Sequence, residues 1–167
     1  MYGLLMKFLV ILLFLVLPLH ADNHVLVQEN FDAWQFTCIE ENSQKICDLR
    51  EIVIDPSTEE IVSYLSITIN PDNLNQMQIA FPHAVNLKSP IKFQIDEKEA
   101  LDLNYAFCNQ SACFVAEIIA ENFINLFKAG NQINIKTLLL DNREATITYS
   151  LTGFTAGYER LFQEVTN

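Results

Sequence analysis

From Trp34 onward the chain alternates apolar and polar residues in short runs, the period of a strand with one buried face. Trp34, Phe36 and Cys38 share one phase, with Gln35 and Thr37 on the other. The polar stretch 40–44 turns the chain, and 45–54 returns as a partner strand. After the turn around Pro56, residues 62–69 place Leu65, Ile67 and Ile69 on one side, opposite Ser66 and Thr68. Asn70 and Pro71 break that run, and Met77, Ile79 and Phe81 form the next, ended by Pro82. Pro90 opens a strand with Ile91, Phe93 and Ile95 facing one way. Leu101, Leu103, Tyr105 and Phe107 alternate through a further predicted strand that runs into Cys108, and 113–118 returns from it.

Near Ala120 the period changes. Ile119, Phe123, Leu126 and Phe127 fall at three- and four-residue spacing, which predicts a short amphipathic helix. Lys128 suits its last turn and Gly130 marks its stop. Two more alternating strands follow, Ile133 to Leu139 and Ala145 to Leu151. In the tail, Tyr158, Leu161 and Phe162 are spaced for one face of a terminal helix or turn. Many short strands with one inserted helix predict a mainly β protein, an antiparallel, immunoglobulin-like β-sandwich. The cysteine and tryptophan order of antibody domains does not fit, so the likeness is one of architecture.

The first residues read differently. Lys7 precedes an unbroken apolar run from Phe8 to Leu17, then Pro18 and a short polar stretch with Ala21. This is the layout of a signal peptide over 1–21, leaving one domain over 22–167. The apolar run is shorter than the roughly 20 residues that cross a bilayer, so no membrane span is expected in the mature chain. Loss of Lys7 moves the net charge from −11 to −12. Such acidity argues against nucleic acid, whose phosphates are held by Lys and Arg.

All four cysteines lie beyond the leader. An even count behind an export signal implies disulfides, and three pairings are possible on paper. The expected pairs are Cys38–Cys47 and Cys108–Cys113, because each flanks a polar turn between strand-like runs. A four-cysteine zinc site needs closer ligand pairs, and a redox centre would want Cys-x-x-Cys. His24 and His83 lie in a tail and a connector, away from any nucleophile elbow. Carboxylate pairs such as Asp96 with Glu99, or Glu59 with Glu60, sit at predicted turns. Asn109-Gln110-Ser111 matches a glycosylation acceptor, but its residues are also ordinary turn residues. No catalytic residue, cofactor or metal is expected from these patterns.

With these residues in view, the chain resembles the invasion-associated locus B family of exported Gram-negative bacterial proteins. Trp34, Cys38 and Cys47 match the family's opening, and Asp96 its strand-ending aspartate. Cys108 to Cys113 match its cysteine turn, with Ala112 in place of a glycine. Lys128 and Gly130 match its helix end, and Ser150, Leu151, Gly153 and Phe154 its Ser-Leu-x-Gly-Phe signature. The proline-glycine-rich segment before the aspartate strand is reduced to Phe81-Pro82-His83-Ala84-Val85. The resemblance implies a periplasmic or surface-associated β-sandwich, a non-enzymatic interaction domain with a protein partner in the envelope or at the host cell. Its rival is a periplasmic hydrolase or carbohydrate-processing enzyme, which would need a deep pocket with converging carboxylates. Within the signature, Phe154 is expected to plug the core and Gly153 to allow a turn that a side chain would obstruct.

Overall fold

The structure, a computed structural model, describes residues 24–166. The signal peptide expected over 1–21 lies outside the described residues. Alternation is realised as eleven strands. They are β1 (His24–Phe31), β2 (Trp34–Glu41), β3 (Gln44–Ile54), β4 (Ile61–Ile69), β5 (Asn75–Phe81) and β6 (Ile91–Ile95). After these come β7 (Leu101–Leu103), β8 (Phe107–Cys108), β9 (Cys113–Ile119), β10 (Gln132–Leu138) and β11 (Glu144–Ser150). Helix α1 (Glu121–Ala129) follows β9, and α2 (Phe154–Thr166) ends the described chain.

All strand pairings are antiparallel and build two sheets. The larger has seven strands in the order β1-β2-β3-β4-β5-β9-β8, the smaller four in the order β11-β10-β6-β7. Phe36, Leu49, Leu65, Ile67, Ile79 and Val115 from the first sheet, and Ile91, Phe93, Ile133, Ile135 and Tyr149 from the second, enter one buried cluster. These are the inward phases of the alternation, so burying one face of each sheet against the other is what the pattern was built for. The fold is the expected mainly β sandwich.

Two stretches depart from expectation. The run 101–107 is not one strand but two, β7 in the small sheet and β8 in the large one. The chain crosses between sheets at Asn104 to Ala106. Tyr105 fixes the crossing: its ring meets Phe81 edge-on at 5.5 Å and its hydroxyl shares a 2.7 Å hydrogen bond with Thr137 Oγ1. Consequently Leu101 and Phe107 are exposed rather than buried. The helical stripe holds in Phe127, which is buried, and in Phe123 and Leu126, which pack on the core, but Ile119 ends β9 as a buried strand residue and Ile124 joins the buried face of α1. The tail is a full helix: α2 lies against β2 and β3, with Gly157 so close to Leu49 that a Cβ would meet its Cδ1 at 2.5 Å.

Candidate interaction surface

The signature residues come together although they are far apart in the chain. Trp34 Nε1–H donates to the Ser150 carbonyl at 2.8 Å. The Trp34 ring stands edge-on to Phe154, centroids 5.0 Å apart, and Phe154 meets Phe127 of α1 at 5.2 Å. Gly130 closes α1 in an extended conformation, φ −88° and ψ 173°, so left-handed backbone is not why a glycine stands there. A Cβ at Gly130 would meet Leu151 Cδ1 at 2.8 Å and Ile95 Cγ2 at 2.9 Å; close packing is the reason. Gly153 does sit at positive φ, +88°.

Asp96 ties the same region from the small sheet. At φ +49° it turns the chain out of β6, and its carboxylate accepts the backbone N–H groups of Asn131 and Gln132, each at 3.0 Å. Those two bonds hold the carboxyl below the usual aspartate range. A lowered folded pKa contributes stability that is present above the unfolded value and disappears as pH falls through the folded one. Asp96→Asn keeps a residue that tolerates positive φ but removes this charge. Its thermal midpoint is expected to lie below that of the parent at neutral pH, with the gap closing in acid. A gap that persists unchanged into acid would mean the carboxylate does not act this way.

Both disulfides join directly paired residues, Cys38 to Cys47 across β2 and β3 and Cys108 to Cys113 across β8 and β9. In the second loop, Asn109 Oδ1 accepts the N–H groups of Ser111 and Ala112 at 2.8 and 3.0 Å, an Asx turn closing the loop. His83 Nε2 lies 2.9 Å from the Asn109 carbonyl oxygen. Glu59 and Glu60 are exposed on their turn, as are Glu97 and Glu99 beside Asp96. Among the described residues no three of His, Cys, Asp and Glu gather closely enough to hold a metal ion.

The outward face of the large sheet is where packing leaves chemistry uncovered. Register places Ile52, Tyr64, Ala80, Phe114 and Phe107 in one row across β3, β4, β5, β9 and β8. Phe107 stacks on Phe114 with centroids 4.8 Å apart, and Tyr64 meets Phe114 edge-on at 6.4 Å. Ile52 and Phe107, at the two ends, are 39% and 48% exposed, whereas Tyr64 is half-buried and Ala80 and Phe114 are buried, so the row is open to solvent at its ends. Beside it run Arg50, Ser66, Gln78 and Ala116. The Arg50 guanidinium sits 5.4 Å from the Tyr64 ring centroid and is paired with Asp48. Burial is the leading cause of the raised Asp48 pKa. The corresponding face of the small sheet, by contrast, offers Lys92, Gln94, Asn134, Lys136, Thr146 and Thr148. Sequence reasoning missed the row because its members lie on the solvent phase. The available signal was that 52, 64 and 114 are large apolar or aromatic residues where an exposed face would carry polar ones.

Residues 34–162 match the profile of the family described as Invasion associated locus B (IalB) protein. Invasion protein B of Bartonella bacilliformis (strain ATCC 35685 / KC583 / Herrer 020/F12,63) is 21% identical over 137 residues, which span 80% of this chain and 73% of that protein. The crystal structure of invasion associated protein B from Bartonella henselae superposes with a TM-score of 0.74 at 18% identity, covering 84% of this chain and 99% of the other. The sandwich is thus a shared fold.

Proposed function

The chain belongs to the invasion-associated locus B family, and from that premise we propose that it is an exported, non-enzymatic interaction domain that engages a protein partner in the bacterial envelope or at the host-cell surface. The observation that carries this reading is the row across the large sheet from Ile52 to Phe107, exposed at those two ends and flanked by the Arg50 and Asp48 pair. Aromatic rings beside an arginine are the composition from which binding hot spots are drawn. Two locally placed disulfides, a leader sequence and a strongly acidic chain fit a small domain working outside the cytoplasm. The named relatives are invasion proteins, which supports the host interface as one setting.

The test is capture by the domain without its leader, against envelope extract and host-cell membrane extract. One partner should be recovered saturably, and Ile52→Lys and Phe107→Lys should each weaken its binding at least about tenfold while leaving Trp34 emission unchanged. Equal binding by both variants would sink the assignment of this face, and the lack of any saturable partner would sink the reading itself.

A further inference from the structure

Glu51 stands on the inward phase of β3, between Leu49 and Val53, where the pattern of the strand calls for an apolar residue. It is 9% exposed. One carboxyl oxygen, Oε1, accepts the Ser150 N–H from the other sheet at 3.0 Å. The other, Oε2, is buried with no hydrogen-bond partner among the described residues. Ser150 is also the residue whose carbonyl receives the Trp34 indole N–H. One residue of β11 therefore joins Glu51 on β3 to Trp34 on β2 across the sandwich.

We infer that Glu51 is a proton-operated latch between the two sheets, seated while its carboxyl is neutral and strained open when the buried, half-partnered carboxylate forms. A neutral acid leaves one hydroxyl without an acceptor, whereas the anion leaves a charge in an apolar core, which costs far more. The groups around it offer no counter-charge. Leu65 lies opposite on β4, and Ser63 of that strand is engaged with the Tyr149 hydroxyl and the Ala80 carbonyl. Tyr149 of β11 is itself held neutral by burial. On β2 the facing group is the Trp34 indole, and from α2 it is Phe154 behind that indole. Arg50, next in sequence, lies on the outward face with Asp48 and Tyr64.

Burial pushes the Glu51 carboxyl from 4.5 up to about 7, against the lowering effect of the Ser150 bond. A raised folded pKa means the folded state binds more protons than the unfolded chain between those two values. Stability is therefore full below 4.5 and falls as pH rises toward about 7, then levels off. The folded-to-unfolded ratio should drop by up to roughly two orders of magnitude across that window.

Trp34 is the chain's single tryptophan, so its emission reports the latch directly. Titrating the folded protein from about pH 5 to about pH 8 should shift that emission with a midpoint near the raised value, while the urea midpoint should fall as pH rises toward that value and level off above it. Glu51→Gln should abolish the emission step and flatten the stability profile, leaving the variant the more stable protein at the alkaline end. If that variant does not fold, the ¹³C shift of the Glu51 carboxyl in the unmodified protein gives the same titration. A midpoint near the raised value supports the latch. An ordinary glutamate midpoint, or an emission step that survives in Glu51→Gln, overturns it.

Discussion

Phe154→Ala is expected to destabilise the domain by about 3–5 kcal/mol, the range for deleting a buried phenylalanine that its surroundings cannot refill. The residue is fully buried. It is the hub of an aromatic cluster drawn from three elements: Trp34 of β2 at 5.0 Å, Phe127 of α1 at 5.2 Å and Tyr158 of α2 at 5.8 Å. Two of these are anchored elsewhere, Trp34 by the Ser150 carbonyl and Tyr158 by its hydroxyl on Asn75 Oδ1. They cannot close over the vacated space without breaking those bonds, so most of the cavity persists. Urea unfolding followed by Trp34 emission measures the loss. Phe162→Ala on the same helix is the control, since that ring is 48% exposed and should cost no more than about 1 kcal/mol. Equal losses at the two positions would show that the cluster does not set the effect.

The cluster explains why the signature is spread as it is. Trp34, Asp96, Gly130, Ser150, Leu151, Gly153 and Phe154 share no strand, yet all fall where the end of α1, the start of α2 and the two sheets meet. Asp96 holds the chain leaving α1, and Leu151 N–H donates to the Asn131 carbonyl at 2.8 Å beside it. What the family pattern marks here is a closure of the sandwich. The row from Ile52 to Phe107 lies on the opposite, outward side of the large sheet, so sequence could vary there without touching the closure.

How much of this was legible follows from which periodicities are unique. Period two survives in β2, β4, β5, β6, β10 and β11 because one face of each is buried, and register then carries Cys38 onto Cys47. The same period misleads at 101–107. Leu101, Leu103, Tyr105 and Phe107 alternate equally well in one strand or in two strands of different sheets. Only the tertiary contacts of Tyr105 with Phe81 and Thr137 decide between them. In α1, both Ile119 and Ile124 satisfy a helical stripe, and the strand pairing of Ile119 with Asn75 takes the first away. Glu51 broke the inward phase of β3 in plain view, but a polar residue at a core position means little until its partner, here the Ser150 amide, is placed.

Gly153→Ala should be the most damaging small substitution in the chain. At φ +88° an L-residue is strained whatever space it has, a cost of about 1–2 kcal/mol. Space is also lacking. A Cβ at 153 would lie 2.0 Å from the Phe31 carbonyl oxygen and 2.6 Å from its carbon, and these are backbone atoms that cannot swing aside. Relief requires moving the β1–β2 turn, including the bond from Ala33 N–H to the Thr152 carbonyl, or displacing the start of α2 and with it Phe154. Together the two terms predict a loss of at least about 3 kcal/mol. Gly130→Ala separates them: its backbone is extended and its two nearest obstacles, Leu151 and Ile95, are side chains that can shift, with the Leu126 carbonyl oxygen next at 3.1 Å. It should cost about 1–3 kcal/mol. Denaturation midpoints for the pair, read by Trp34 emission, decide the matter. If alanine is tolerated better at 153 than at 130, then the β1–β2 turn yields easily and Gly153 is not what holds α2 against the sheet.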